Sequence, residues 1–319
     1  MMIISDGKWV KDYYDDNELH FYRKRKSIFK KKTKFQEVEL VELPAIGEVL
    51  IIDEELQSAK MDEHIYHETL VHPAMISNEN PKKVLILGGG EGATLREVLK
   101  YQSVELAVMV DIDAELVEFF HHNMPHWHLG AFDDPRTELA LIDGKEYLEK
   151  TSHQFDVIII DLTSGFTERM QEEFEPILNL YSKEFYALCK SKLAPNGIVA
   201  VQAFELTPLD WSEHAVLYRT MSSAFSRVTS YSTFIPSFYT NWGFLIASNR
   251  KDAAELSPEE MEQRIQTRDL TNKLKSFSGQ NFLGMKSMPK DLQANLQRPG
   301  TVIEDNKPIK VYPKEDHNQ

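Results

Sequence analysis

The sequence carries a single cysteine, Cys189, in 319 residues. One thiol excludes an internal disulfide and fits a reducing, cytoplasmic compartment. Long apolar runs are equally scarce. No stretch approaches the roughly eighteen residues that a transmembrane helix needs, so no membrane partner is expected. The N-terminal MMIISDGKWVKDYY meets Lys8 and Lys11 too early for the apolar region of a signal peptide. There is no internal repeat and no low-complexity tract. Basic charge is also in deficit: 36 Lys and Arg against 50 Asp and Glu leave a net charge of −14. Such a surface repels nucleic acid and draws in cations. One local exception is RKRKSIFKKKTK (23–34), with eight basic residues in twelve. It could form a nucleic-acid patch, but the acidic remainder favours a solvated basic edge of a small sheet, and no nucleic-acid partner is expected.

What is present is an ordered alternation of elements. Residues 1–60 read as β-structure, from the period-two FQEVELVEL (35–43) and from IGEVLIIDEELQSA (46–59), with an acidic turn at Asp53–Glu55. DEHIYHETLVHPAMI then reads as a helix ending near Pro73. From residue 84 strands and helices alternate: VLILG, ATLREVLKY, ELAVMVDID, AELVEFFHHN, ELALIDG, KEYLEK, FDVIIIDLT and SKEFYALCKSKL. Runs such as VLIL and VIII are apolar on both faces, as parallel strands covered by helices require. VTSYSTFIPSF and NWGFLIASN would add an antiparallel edge. Beyond residue 251 LSPEEMEQRIQTR is a capped helix, and the remainder reads as irregular. The expected fold is α/β: a Rossmann-like seven-stranded sheet of the S-adenosylmethionine-dependent methyltransferase type (62–250), a small N-terminal β-domain (1–61) and a C-terminal extension (251–319).

The chemistry concentrates in VLILGGGEGATLRE (84–97). Gly88, Gly90 and Ala93 satisfy the dinucleotide pattern G-x-G-x-x-G/A, while Gly88, Gly90 and Gly92 satisfy the G-x-G-x-G of S-adenosylmethionine folds, so the glycines alone do not choose. Glu91 sits where the backbone would meet a ligand. The next strands end in Asp111, placed for ribose hydroxyls, in Asp143–Gly144, placed for an adenine amino group, and in Asp161. Four strands thus deliver four acids to one sheet edge. Like charges so placed raise one another's pKa and want a cationic ligand, not a pyrophosphate. A sulfonium with a free amine fits.

These residues resemble the polyamine aminopropyltransferases: the spermidine, spermine and thermospermine synthases. The resemblance runs from about Trp9 to about Val311. Its most specific pieces are KFQEV (34–38), GEVLIIDEELQSAKMDEHIYHETLVHPAM (47–75), GGGEGATLRE, DIDAELV and IPSFYTNWGFLIAS (235–248). It implies transfer of the aminopropyl group of decarboxylated S-adenosylmethionine to a polyamine nitrogen, with release of 5'-methylthioadenosine. That compound is a co-substrate; no cofactor and no metal is implied. Position by position, the resemblance implies that Gln36, Gln57 and His67 line the nucleoside and aminopropyl pocket. Glu91 would bind the donor's amine, Asp111 the ribose, and Asp143 with Gly144 the adenine. Tyr66 and Asp161 would orient the attacking amine, with Asp161 taking its proton, and Gln202 would lie beside the acceptor. Related enzymes are commonly dimeric, so a homodimer is expected.

The acceptor is less plainly written. Spermidine synthases usually continue as D-x-x-D-P, but DLTSGFTERM puts Ser164 in place of the second acid, and Phe238 stands where a tyrosine is usual. DLT resembles the spermine synthases, whereas GGGEG, DID, IPSF and the tail resemble the thermospermine synthases. Loss of one acid suits a longer acceptor, spermidine, over putrescine. Segment 164–180 is longer than the gate of many relatives. Glu205, at a strand exit, could hold the acceptor's far amine or be a plain exposed acid. HHNMPHWH (121–128) could suggest metal but lacks partner spacing and reads as a surface loop. Cys189, in an amphipathic helix, reads as core. The rivals are a spermidine synthase acting on putrescine, an S-adenosylmethionine methyltransferase, and a non-catalytic polyamine-binding protein.

Overall fold

The computed structural model describes residues 8–13, 18–163, 176–249 and 254–307. Ser164 and most of the 164–180 segment lie outside the described residues. The chain opens with an antiparallel ribbon, β1 (Trp9–Tyr13) and β2 (Leu19–Arg23). A four-stranded meander follows: β3 (Lys26–Lys32), β4 (Glu37–Leu43), β5 (Gly47–Ile52) and β6 (Glu55–Ala59). Alternation sends Val38, Leu40, Leu50 and Ile52 into the main core, and Val41, Leu43, Val49 and Ile51 against Val10 of the ribbon. Asp53 and Glu54, both at positive φ, make the tight turn between β5 and β6.

The basic run occupies the edge strand β3 and its approach, where it is matched across the ladder by acids. Lys24 pairs with Glu39 at 3.0 Å, Arg25 with Glu42 at 2.9 Å and Lys30 with Glu37 at 2.8 Å, while Lys31 reaches Glu115. Exposed pairs of this kind contribute little stability, but they balance the charge, and lysines on an edge discourage strand addition.

Helix α1 (Glu63–Ser77) does not end at Pro73 but runs one turn beyond it. Proline at that position cannot donate to the carbonyl of Thr69. The Tyr231 hydroxyl donates to that carbonyl instead, at 3.2 Å, and the helix continues. Tyr231→Phe should therefore cost about 1–3 kcal/mol, the penalty for a buried carbonyl left unpaired. Urea unfolding midpoints reads this, and an unchanged midpoint would refute the account.

The seven-stranded sheet and its helices begin with β7 (Lys83–Gly88), α2 (Ala93–Leu99), β8 (Leu106–Val110), α3 (Ala114–Asn123), α4 (Pro125–His128), β9 (Thr137–Ala140), α5 (Gly144–Lys150) and β10 (Phe155–Asp161). They continue through α6 (Lys183–Ser191), β11 (Leu193–Glu205), α7 (Ser212–Ala224), β12 (Arg227–Ile235) and β13 (Thr240–Ser248). Strand order is β12-β13-β11-β10-β7-β8-β9, with the block from β11 to β9 parallel and β13 antiparallel to both of its neighbours. Both faces are buried. Val84 and Ile86 point into one core, Leu85 and Leu87 into the other, and Val157 and Ile159 oppose Ile158 and Ile160 likewise. The order reverses between β7 and β10, so the loops leaving those strands flank a crevice, the usual ligand position of an open α/β sheet.

Two further sequence expectations need correction. His121 and His122 end α3, and Pro125–His128 form α4 with Trp127 and His128 buried, so HHNMPHWH is more than a surface loop. Its histidines are spent separately, His121 on Asp133 and His126 on Glu48. The tail is not irregular either. After α8 (Pro258–Thr267), opened by a Ser257–Glu260 capping box, come α9 (Gly279–Met285) and α10 (Lys290–Leu296). Met261, Ile265 and Phe282 extend the core beside α1, and Arg264 and Arg268 donate to the carbonyls of residues 75–79 at its C-terminus. Glu68, fully buried on α1, accepts from the backbone N–H groups of Lys275, Ser276 and Phe277. Cys189 is fully buried. No described helix is long and apolar enough to cross a membrane.

Candidate active site

The glycines of GGGEG answer first to packing. Gly88 lies at φ +84, and a Cβ there would stand 2.1 Å from the carbonyl oxygen of Asp161, so β7 and β10 can close on one another only over glycine. Gly92, at φ +81, would meet Phe132 at 2.6 Å as it leads into α2. Gly89 N–H donates to the Asp161 carbonyl at 3.0 Å, which ties the loop to the end of β10.

Above this junction lies a cavity of about 450 Å³. Gln36, Gln57, Tyr66, Gly88, Gly90, Glu91, Asp111, Asp143, Gly144 and Asp161 all line it. The remaining candidates stand outside the lining. His67 is buried behind Glu91, its Nε2 2.9 Å from Glu91 Oε1. Gly92 starts α2. Gln202 is buried and donates to the Leu162 carbonyl at 2.9 Å and to Tyr181 Oη at 3.1 Å. Glu205 follows a bulge at the end of β11, next to Glu55, Asp210 and Glu213. The apolar part of the lining includes Phe35 and Ile112, both partly exposed, on the side of Asp111.

Each acid is held differently. Asp161 accepts from Tyr66 Oη at 2.8 Å on one oxygen and from Thr94 Oγ1 at 2.5 Å on the other. Burial pushes its pKa up, the charge of Glu91 pushes it further, and His67 and the two hydroxyls pull against them. Burial, with the neighbouring Asp161, holds the Tyr66 phenol well above its usual range, so it is a donor. Asp111 accepts from Asp113 N–H at 2.8 Å, yet burial, aided by Asp113, Glu91 and Asp161, raises it to about 7. Asp143 caps α5 by accepting from Glu146 N–H at 2.8 Å, so a helix cap and a cavity wall coincide in one residue. Gln36 donates to Asp113 Oδ2 at 2.8 Å, beside Thr33 at 2.7 Å, and joins the small sheet to the β8–α3 loop.

Among the described residues, the buried imidazole set against these acids is His67. Its Nδ1 lies 2.9 Å from Glu63 Oε2 and its Nε2 faces Glu91. Burial opposes its charge, but the two carboxylates prevail and lift its pKa to about 10. The ligating atoms of His67, Glu91 and Asp161 lie within 4.8 Å of one another, a spacing open to a metal ion. With both ring nitrogens already facing carboxylates, the imidazole has no lone pair to offer one, and the carboxylates are better placed for an ammonium. Thr94, Glu63 and Arg96 were not singled out from the sequence. Glu63 alone carried a signal, its i, i+4 spacing to His67 on α1.

Comparison with known proteins fits this geometry. Residues 63–257 match the spermine/spermidine synthase domain, and residues 8–60 match the spermidine synthase tetramerisation domain. The chain belongs to the spermine/spermidine synthase family. Polyamine aminopropyltransferase 2 of Pseudomonas aeruginosa is 41% identical over 299 residues, covering 94% of this chain and 84% of that protein. The polyamine aminopropyltransferase of Sulfurisphaera tokodaii is 37% identical over 303 residues, 95% of this chain and 98% of that protein. Among solved structures, a spermidine synthase in complex with the transition state analogue AdoDATO superposes with a TM-score of 0.79 at 29% identity, covering 91% of this chain and 94% of that one. Spermidine synthase from Thermotoga maritima gives 0.78 at 31% identity, covering 90% and 94%. The protein is thus an aminopropyltransferase with the α/β spermidine synthase fold: a seven-stranded mixed sheet and an N-terminal β-sheet unit. Within this aminopropyltransferase the glycine loop carries an acid, Glu91, on the cavity wall.

Proposed function

We propose that the enzyme transfers the aminopropyl group of decarboxylated S-adenosylmethionine to spermidine, giving spermine or thermospermine and 5'-methylthioadenosine. The observation that carries this reading is Glu91 on the cavity wall, backed by His67 and facing Asp161. Asp111 takes the ribose hydroxyls, Asp143 and Gly144 the adenine edge, and Gln36 and Gln57 close the nucleoside side. Glu91 receives the donor's ammonium. S-adenosylmethionine itself would set its carboxylate against Glu91, a repulsion of about 4 kcal/mol for unit charges 4 Å apart at an effective dielectric of 20. That disfavours methyl transfer.

The acceptor nitrogen, with a solution pKa of roughly 10, arrives as an ammonium and is not nucleophilic. Asp161, oriented by Tyr66 and Thr94, holds it and takes its proton. The freed lone pair attacks the methylene beside sulfur. The C–N bond forms, the C–S bond breaks, and its electron pair returns to sulfur, which leaves as a neutral thioether. The protein supplies position and charge, and no covalent intermediate is needed.

The choice of a triamine is supported by a second acidic focus at the exit of β11. Burial, then Asp210 and Glu55, raises Glu205 to about 8, and the adjacent Glu213 is pushed well up by burial, then by Glu205, Asp210 and Glu55. Carboxyls so crowded are relieved by a further ammonium, which spermidine has and putrescine lacks. The test incubates the protein with decarboxylated S-adenosylmethionine and either amine, then separates the products chromatographically. We expect faster turnover of spermidine; preference for putrescine overturns the triamine reading. Methylated amine from S-adenosylmethionine would favour a methyltransferase, and binding without methylthioadenosine release a non-catalytic binder. The match of residues 8–60 to a tetramerisation domain supports a homo-oligomer, and light scattering separates the expected dimer from a tetramer. A cytoplasmic site is supported by the lone buried thiol, and fractionation of cells reads it.

A further inference from the structure

Behind the donor wall the charges do not stop at His67. Glu63 Oε2, which faces His67 Nδ1 at 2.9 Å, also accepts from Arg96 Nη2 at 2.8 Å. Arg96 is held at two further points: Nε donates to Glu97 at 2.9 Å and Nη1 to the Trp127 carbonyl at 2.5 Å. The guanidinium therefore has no alternative orientation. Glu63 and His67 lie one turn apart on α1, Arg96 lies on α2, and Glu91 lies in the loop that feeds α2. All are nearly buried: His67 is 1% exposed, Glu63 9%, Arg96 10% and Glu91 12%.

We propose that Arg96 and Glu63 are positioning residues for the donor amine: they keep His67 an imidazolium, which pins one oxygen of Glu91 and leaves the other to receive the ammonium. The inference rests on the reading of Glu91 as the amine clamp. The geometry leads to the protonation state. A ring with a carboxylate on each nitrogen makes both contacts only if both nitrogens carry hydrogen. A neutral ring would turn a lone pair towards Glu63 or towards Glu91, and repel it. Nδ1 also lies 2.7 Å from the Glu63 backbone carbonyl, which fixes a hydrogen there, so the proton at stake is the one on Nε2 facing Glu91. The ionised Glu63 carboxylate favours that second proton, and a buried Glu63 stays ionised because it has Arg96 as well as His67. The groups facing His67 are Glu63 and Tyr66 on α1, Glu91 on the loop, Arg96 and Glu97 on α2, and Asp161 on β10; Asp111 faces Glu91 from the end of β8. Of these only Arg96 brings a permanent positive charge, so its loss shifts the balance towards proton loss by His67.

The test compares the wild type with Arg96→Met, Arg96→Lys and Glu63→Gln. Above about pH 8, where Asp111 with its pKa of about 7 is ionised, the wild-type KM for decarboxylated S-adenosylmethionine should be flat to about pH 9, because His67, lifted to about 10, keeps its proton. In Arg96→Met and Glu63→Gln the folded-state pKa of His67 falls, so KM rises with pH as the proton is lost, by about 10–100-fold at pH 8, while kcat at saturation changes less than threefold. Arg96→Lys, which keeps a cation against Glu63, should recover most of the loss. The ring nitrogen shifts of His67, assigned by comparison with His67→Gln, should report an imidazolium at pH 8 in the wild type and a neutral ring in the first two variants. Glu63→Gln retains the size of the side chain and serves if Arg96→Met does not fold. An imidazolium persisting in the variants, or losses of kcat and KM that track folded fraction with no pH dependence, overturns the proposal. Glu91→Gln separates the two levels. If it leaves donor KM unchanged, the clamp reading fails; if it raises KM while Arg96→Met and Glu63→Gln do not, this inference alone fails.

Discussion

Asp161→Asn is expected to lower kcat by about 10²–10⁴-fold, the usual worth of a positioned general base, with donor binding largely kept. Asparagine has nearly the same shape, and its amide can still meet the Tyr66 and Thr94 hydroxyls that now hold the carboxylate. It cannot take a proton. The pH profile supplies a second readout. Burial first, and Glu91 second, raise the Asp161 pKa above the ordinary carboxylate range. The reactive form is the unprotonated one, so wild-type turnover should fall as pH drops through that raised value. The residual rate of the variant should lack this acidic limb. Methylthioadenosine release at saturating substrates across pH 5–9 measures both. Full turnover by the asparagine variant would remove Asp161 from its proposed role.

Glu91→Gln should raise the KM for decarboxylated S-adenosylmethionine by about 100-fold, near 2.7 kcal/mol, the order of one enclosed charge-assisted hydrogen bond. The amide keeps an oxygen for His67, so the local packing survives. The same change withdraws the charge that opposes the carboxylate of S-adenosylmethionine, and discrimination between the two sulfonium compounds should narrow from both sides. Calorimetric titration with each compound reads this directly. Unaltered donor affinity, or unaltered rejection of S-adenosylmethionine, would show that another group receives the amine.

How far these features are legible in the sequence varies with the range of the interactions behind them. The runs VLIL and VIII announce strands buried on both faces, because each residue needs only its own apolar side chain to say so. The acids ending those strands are legible for a related reason: a parallel sheet carries every strand's C-terminal end to the same edge. α9 and α10 are not legible. Seven residues barely complete two turns, and their few apolar contacts, such as Phe282, Met285, Leu292 and Leu296, make no convincing period. Pro73 misleads because the compensating hydroxyl of Tyr231 lies 162 residues from the Thr69 carbonyl it meets. Thr94 and Arg96 carry no signal, since a threonine and an arginine early in a helix are ordinary until a carboxylate is placed against them.

By itself the sequence determined the α/β class, the glycine loop with its acid and the family these imply. All three depend on residue type, spacing and strand direction, which are local properties. Only the tertiary structure decided which charges meet. In the basic run 23–34, Lys24, Arg25 and Lys30 find their partners only when Glu39, Glu42 and Glu37 come opposite them on β4. His67 could be charged or neutral until Glu91, 24 residues on, closed over one nitrogen while Glu63 faced the other. Asp161 became a hydrogen-bonded, raised-pKa carboxyl only when α1 brought Tyr66 across 95 residues of chain. Desolvation and pairing set the charge state of a buried group, and both come into being only when distant segments pack.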